Sequence, residues 1–563
     1  MRRRVFSFDA FVPKSILCLQ DYNGRKFVSD LIAGVTVGLV ALPLAMAFAI
    51  SSGVPPQSGI YCAIIAGFLI SALGGSRTQI GGPTGAFVVV IAGIVAKHGL
   101  DGLFMCTAMA GVFLILLGVT GLGTAVKYIP RPVVIGFTNG IAVLIASTQL
   151  KDFFGLTLEK VPSEFVARLA ALEQNFHTLS WVSTAISCSA LLIIIGFTRF
   201  AKRIPGSIVV LFAGTAVAWY WRLPIETIET RFGGIPSGLP HLSLLHFRPE
   251  LALPLLGPAF TVTMLGAIES LLSAVVSDRM SGDKHNPNVE LFAQGVANVF
   301  SPLFGGLPAT GAIARTATNI RSGAQTPVAG MVHALTLLVV LLVAAPLAGH
   351  IPLSVLAAIL LVVAYNMGEW REIPEILKLS KADIAVWIIT FGLTVLADLT
   401  VAVEAGMILA ALTFIRKVTV TTTVSRVTSD YIKEGFPHSL QTNPIPEGVA
   451  IYRIHGPFLF GAADKLRLIE DAITTLPKVV ILRLRNMTAI DATGLHALES
   501  LADKLVASDL HLILCGMRDQ PGKLMEQADF HERIGHANIY PTLEAALERA
   551  RSLLAPHAED VQQ

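Results

Sequence analysis

Two short runs in the chain, Gly82-Pro83-Thr84-Gly85-Ala86 and Pro308-Ala309-Thr310-Gly311-Ala312, share Thr-Gly-Ala at the start of a short apolar stretch. A helix that begins there leaves its first N–H groups unpaired and carries the positive end of its dipole. Two such ends facing each other hold an anion without a metal or a row of lysines. Glycine lets a ligand approach the backbone, and Thr84 and Thr310 can cap or donate. The alternative is a pair of re-entrant turns used only for packing. Two ionisable residues lie close by in sequence: Arg315 one turn into ATGAIARTATN, and Glu269 in the middle of TVTMLGAIESLLSAVV. A charge at mid-membrane costs about 2.5 kcal/mol or more, so each is a functional candidate. Arg315 reads as an anion ligand or as a field residue behind the helix ends. Glu269 reads as the protonatable coupling group. The competing assignment is a structural Arg315–Glu269 ion pair. His333, on an apolar helix, reads as a hydrogen-bonded packing residue.

The elements that must position these residues are set by composition. Of 563 residues, 53% are hydrophobic and 14% charged, against about 45–50% and about 25% in an average globular protein. With a mean hydropathy of +0.66 the chain is too apolar for disorder. Its five cysteines have no paired or metal-finger spacing, so neither a disulfide scaffold nor a metal site is expected. A net charge of +3 gives no case for nucleic acid. There is no catalytic-triad spacing, metal cluster or cofactor loop. The chain therefore reads as a polytopic protein of the lipid bilayer, not an enzyme, with no cofactor beyond a proton as coupling ion.

A span needs about 20 apolar residues. Fourteen candidate segments lie at 29–50, 57–73, 82–97, 100–120, 130–150, 179–198, 205–221, 253–277, 291–306, 310–321, 326–348, 352–366, 382–397 and 399–416. The third and the tenth are short and hold the two Thr-Gly-Ala breaks. They are seven segments apart, so alternation gives them opposite orientations, the mark of an inverted repeat. Alternating from a cytoplasmic N-terminus puts twenty Lys/Arg inside and seven outside, which supports the expectation of both termini in the cytoplasm. The basic start, MRRRVFSF, is followed by polar residues, so no removable signal peptide is expected.

Lys/Arg and Asp/Glu number 41 in residues 27–418 and 32 in the much shorter 419–563, so the density of charge more than doubles. The expected organisation is a cytoplasmic segment at 1–26, a transport domain at 27–418, a linker at 419–435, a soluble α/β domain at 436–556 and a tail at 557–563. In the soluble part, 448–456, 479–485 and 510–517 read as strands, and 465–474 and 494–507 as helices.

At ALPLAMAFAISSGVPPQSGIY (41–61), GGSRTQIGGPTGAF (74–87) and LGAIESLLSAVVSDRMSGDKHNPNVELFAQGVANVFSPLFGGLPATGAIARTATNIRSGAQTP (265–327) the chain resembles the sulfate-permease (SulP) family. It is most similar to bacterial members that include a C4-dicarboxylate transporter. The resemblance implies a seven-plus-seven inverted repeat. A core domain of segments one to four and eight to eleven moves against a gate domain of five to seven and twelve to fourteen. It also implies homodimers in the bacterial inner membrane. Carried over by position, the substrate site comprises Phe48, Thr84, Gly85 and Ala86, then Thr310, Gly311, Ala312, Ile313 and Arg315, with Glu269 as the acidic position of segment eight. Some sodium-coupled members have Asp there; Glu269 with Arg315 favours protons. Leu44 stands where vertebrate relatives carry Gln. MTAIDATGLHAL (487–498) resembles a STAS domain, through which a cytoplasmic regulatory partner could act. Ala492 replaces the phosphorylatable Ser of the bacterial antagonists, and Asp491-Ala492-Thr493-Gly494 reads as a capped helix start rather than a phosphosite.

The function expected is secondary active transport of a small inorganic or organic anion in the sulfate, bicarbonate or dicarboxylate class, by proton symport and alternating access. Sodium-coupled bicarbonate transport, anion exchange, a passive anion channel and a nucleobase permease of the same fold are the alternatives.

Overall fold

The computed structural model describes residues 12–123, 130–158, 161–162, 164–200, 205–243, 248–397, 399–427 and 445–555. Arg2 to Arg4, Lys127, Lys160, Lys202, Arg203 and Asp398 lie outside these residues, as do 428–435 of the expected linker and the 557–563 tail. The chain divides into two compact units, Met1–Ala410 and Ala411–Gln563.

The first unit is helical. The expected segments overlap helices from Gly24–Ser51 onward, the third and tenth opening on short strands, and the last helix, Leu399–Thr421, runs across the unit boundary. Eight helices among the described residues are long and apolar enough to cross a bilayer. The third and fourth segments form one run, Gly85–Val119, divided at Gly99, whose φ of +69° no helix accommodates. The tenth helix, Ile313–Arg321, has nine residues and so spans about 14 Å, roughly half a hydrocarbon core. Helix Arg131–Phe154 begins at the Pro130-Arg131-Pro132 corner, with proline already at the φ a first turn needs.

Packing partners repeat under a shift of seven segments. The first packs on the eleventh and the eighth on the fourth; the second packs on the eleventh and the ninth on the fourth. In the other group the fifth packs on the thirteenth and the twelfth on the sixth. These are the two groups an inverted repeat generates, core and gate. Small residues make the core contacts close, as lipid-embedded helices require. A Cβ on Gly111 would lie 2.7 Å from the Val299 backbone nitrogen and 2.8 Å from the Gly295 carbonyl oxygen.

The second unit is built on five strands: β3 (Thr423–Arg426), β4 (Val449–Phe458), β5 (Val479–Ile490), β6 (His511–Cys515) and β7 (Ile539–Tyr540), in that spatial order. The last four run parallel, and β3 is an antiparallel edge. Two short strands of the first unit, β1 (Gly81–Gly82) and β2 (Thr310–Gly311), belong to the site below. Buried residues alternate to both faces of the large sheet. Val480, Leu482 and Leu484 meet helix Ala492–Ala507, while Val479, Ile481 and Ile513 meet helix Leu543–Leu554. Three expectations change here. Residues 423–426, placed in the linker, form β3. The expected helix at 465–474 is a 3-10 turn, a four-residue helix (Arg467–Glu470) and a second 3-10 turn, because β-branched Ile473-Thr474-Thr475 and then Pro477 give it no continuation. The sheet gains strands at both edges beyond the three read from sequence.

Candidate functional site

The two glycine-rich breaks meet. Strands β1 and β2 pair antiparallel, Gly81 opposite Gly311 and Gly82 opposite Thr310. Each strand leads straight into its short helix, so antiparallel pairing sends the helices away in opposite directions and brings their starts to one crossing. Among the described residues, the N–H groups of Gly85 and Ala86 at one start, and of Ile313 and Ala314 at the other, have no protein acceptor.

Extended backbone at membrane depth survives only when its polar groups are satisfied by protein. Here segments eight and nine supply the partners. Gly311 N donates to Ser270 Oγ at 3.2 Å, and the Thr310 hydroxyl donates to the Gly266 carbonyl at 3.0 Å. Asn298 brackets Ala309, accepting from its N–H and donating to its carbonyl, both at 2.8 Å. Ala312 N donates to the Ile80 carbonyl at 2.8 Å, and Ile80 N donates to Thr316 Oγ1 at 3.0 Å. Gln79 Nε2 completes the set, donating to the Ser270 carbonyl at 3.1 Å. None of Gln79, Ser270, Asn298 or Thr316 was singled out by sequence, because a hydroxyl or amide on an apolar helix has no periodicity of its own.

The two threonines behave differently from the capping expectation. Neither makes a side-chain cap bond to its helix. Thr310 is turned away, tied to segment eight. Thr84 Oγ1 donates to Glu269 Oε2 at 2.8 Å. Glu269 is thereby attached to the residue that opens the third helix.

Arg315 is buried and its Nη2 donates to the Pro83 carbonyl oxygen. Its other terminal nitrogen lies against Gly82, where a Cβ would stand 2.8 Å from Nη1. No Arg315–Glu269 ion pair forms within 4.0 Å among the described residues, so the structural-pair assignment does not hold in this arrangement. The guanidinium therefore lies against Gly82 and Pro83, where β1 leads into helix three. Phe48 is buried beside the third helix: a Cβ on Gly85 would lie 3.3 Å from Phe48 Cε1 and 3.1 Å from both Ile145 Cδ1 and Met367 Sδ. Ile145 and Met367 belong to the fifth and twelfth segments, so the start of helix three faces both groups of helices. His333 is buried, and neither ring nitrogen has a hydrogen-bond partner among the described residues, contrary to the hydrogen-bonded packing role. Glu404 is exposed.

Two further buried carboxylates carry structure. Asp30 Oδ1 accepts from Gln325 N at 2.7 Å and Thr326 N at 3.1 Å, and Glu290 Oε2 accepts from Gly75 N at 3.0 Å and Ser76 N at 3.1 Å. Both stood in the sequence as acids inside apolar stretches, the signal that could have found them. In the second unit, Asp491 caps helix Ala492–Ala507, accepting from Gly494 N at 2.8 Å. Among the described residues, Asp529, His531 and Glu532 are spaced for a metal, with both acids exposed.

Residues 27–390 match the Sulfate permease family model, and residues 442–546 match the STAS domain model. The chain belongs to the sulfate permease family. Members similar along nearly their whole length include YvdB of Bacillus subtilis, a protein named for sulfate transport, at 40% identity over 92% of this chain and 97% of the relative. The bicarbonate transporter BicA of Synechocystis is 32% identical over 95% and 96% of the two chains. Among solved structures, the transmembrane domain of a cyanobacterial BicA superimposes with a TM-score of 0.62 at 35% identity, covering 68% of this chain and 98% of that one. The murine Solute Carrier 26 family member A9 anion transporter in its inward-facing state shares the fold, with a TM-score of 0.85 at 19% identity over 98% and 96%. This family member is therefore a membrane anion transporter with a C-terminal STAS domain, and not an enzyme.

Proposed function

We propose that the protein is a proton-coupled symporter of a small oxyanion or carboxylate, which binds at the crossing of β1 and β2 between the starts of helices three and ten. The observation that carries the reading is the pairing of Gly81-Gly82 with Thr310-Gly311, with Thr84 hydrogen-bonded to Glu269 at 2.8 Å. The unpaired N–H groups of Gly85, Ala86, Ile313 and Ala314 would receive the anion, and Phe48 would close its apolar side. Arg315, held on Pro83, would supply the full positive charge that helix ends lack. Glu269 would take up a proton as the anion arrives, through the residue that shares its hydrogen bond. The pair would then cross with less net charge. The core group of segments would carry the loaded site past the gate group, the wall of which includes Ile145 and Met367.

Sulfate, bicarbonate and a C4-dicarboxylate all suit this chemistry, and relatives named for sulfate and for bicarbonate support the first two. We place the protein in the bacterial inner membrane as a homodimer with both termini in the cytoplasm, where the STAS domain is open to a regulatory partner. The test is uptake of labelled sulfate, bicarbonate and fumarate into proteoliposomes, each with and without an inward proton gradient. Uptake of at least one that rises with the gradient supports the proposal; gradient-independent uptake of all three rejects it.

A further inference from the structure

One join between the core and gate groups is too short to move far. Helix Val328–Ala348 of the core passes to helix Leu353–Met367 of the gate through Gly349-His350-Ile351-Pro352 alone. It is the shortest of the three places where the chain crosses between the two groups. Four residues reach at most about 14 Å, so these two helix ends stay together whatever the rest of the core does. The connection from segment seven to segment eight, between Tyr220 and Leu256, is long by contrast, and part of it lies along the short one.

The two connections meet along a strip of backbone. Thr227 pairs antiparallel with Pro352; Ile228 N donates to the Ile351 carbonyl at 3.1 Å, and Leu353 N donates to the Glu226 carbonyl at 3.0 Å. Glu229 N adds a bond to the Gly349 carbonyl at 2.8 Å. Leu353 opens the helix of segment twelve, so Glu226 supplies an acceptor for one of the N–H groups a helix start leaves unpaired. Ile228, fully buried, pins the strip into the hydrophobic cluster that holds Leu353 and Leu356. From the short helix Ile228–Phe232, Arg231 then reaches segment five. Its two terminal nitrogens donate to Asp152 Oδ2 at 3.2 Å and Oδ1 at 2.7 Å, and Nη2 also meets Glu226. The Arg231 and Asp152 side chains are mostly buried, and a two-pronged pair there fixes direction as well as distance.

We infer that Arg231 is a positioning residue for transport. It fastens the short join to segment five, so that the core swings about residues 349–352 while the gate holds still. The inference rests on the reading of a core group that moves past a gate group, and on no property of the coupling ion. The backbone strip already holds the two connections to each other; what Arg231 adds is the tie from that strip to segment five. Alanine at 231 removes the cation that Asp152 and Glu226 share, which frees the join from segment five.

Exchange of labelled sulfate and of labelled bicarbonate is measured in proteoliposomes without a proton gradient, so a failure of proton coupling leaves the comparison intact. Arg231→Ala is expected to lower the maximal rate at least fivefold while half-saturation stays within twofold, because the anion site is untouched. The double variant Arg231→Asp, Asp152→Arg restores the pair in reverse and should recover most of that loss. A merely structural role would show instead as a lower melting temperature at an unchanged rate. Thr227 and Pro352, flanked by the two cross-strand bonds, form the close kind of antiparallel pair, with Cα atoms about 4.5 Å apart and within reach of a disulfide. For the Thr227→Cys, Pro352→Cys variant, exchange after oxidation and after reduction should agree within twofold, since the join stays clamped throughout the cycle. The proposal is overturned if Arg231→Ala exchanges at the wild-type rate, or if its rate and affinity fall together. It is also overturned if oxidation of the cysteine pair stops exchange and reduction restores it, the result that decides should Arg231→Ala fail to fold.

Discussion

Replacing Arg315 by alanine removes a full charge from behind the helix starts without touching the groups that would contact the anion. Its guanidinium is bonded to the carbonyl of Pro83, two residues before Gly85. At roughly 3.3 Å per extended residue, that puts the charge about 7 Å from the Gly85 N–H. Coulomb's law at an effective dielectric constant of 20 then gives about 2 kcal/mol for a monovalent anion and about 4 kcal/mol or more for a divalent one. At 1.36 kcal/mol per decade these are roughly thirtyfold and roughly a thousandfold losses of affinity. The assay is equilibrium binding of a monovalent and a divalent anion to purified protein, wild type against Arg315→Ala, with thermal melting as the check on folding. Arg315→Lys, which keeps the charge and loses the fork, recovers most of the affinity if the field is what matters. Unchanged affinity in a variant that melts normally refutes the reasoning. So does an equal loss for both anions, since a purely structural effect has no dependence on ligand charge.

Gly82 has φ +144° and would place a Cβ 2.8 Å from Arg315 Nη1. Gly82→Ala is therefore expected to cost on the order of 1–3 kcal/mol of stability and to weaken anion binding, while Gly93→Ala, with open space around it, does neither; melting and binding curves compare the two. Thr84→Val removes the donor that Glu269 accepts from, whereas Thr84→Ser keeps it. The valine variant should show an altered pH dependence of uptake across a pH series in proteoliposomes, and the serine variant should follow wild type. Every residue assigned to the anion site precedes the last membrane helix, which ends at Thr421. A chain stopped after Thr421 should retain measurable uptake; complete loss in a variant that still inserts and folds would make the STAS domain part of the transport machinery.

Much of this was legible because a bilayer demands long apolar helices, and Gly-Pro breaks inside them stand out against that background. The shared Thr-Gly-Ala marked both half-helix starts, and the structure pairs Thr310-Gly311 of the second with Gly81-Gly82, just ahead of the first. What sequence could not supply was direction. Thr84 and Thr310 are the same residue in the same motif, yet one bonds Glu269 and the other bonds Gly266. Both acceptors lie on segment eight, and which of them each threonine reaches is a tertiary fact. Arg315 was visible as a charge in an apolar helix, but its side, behind Pro83, depends on Gly82 having no side chain. Phe48 came only from family resemblance, and Ile145 and Met367 had no signal, since apolar residues that line a site look like those that face lipid. In the soluble unit, β3 and β7 were missed because edge strands of four and two residues are too short to show alternation.

The central claim is that Glu269 couples anion to proton through Thr84, and one variant addresses it directly. Glu269→Gln can still accept the Thr84 hydrogen bond but cannot lose or gain a proton. In proteoliposomes loaded with unlabelled anion, it should exchange labelled anion across the membrane at a rate comparable to wild type. Under an inward proton gradient as the only driving force, wild type should accumulate the anion and Glu269→Gln should not. Accumulation by Glu269→Gln at the wild-type level would contradict the account.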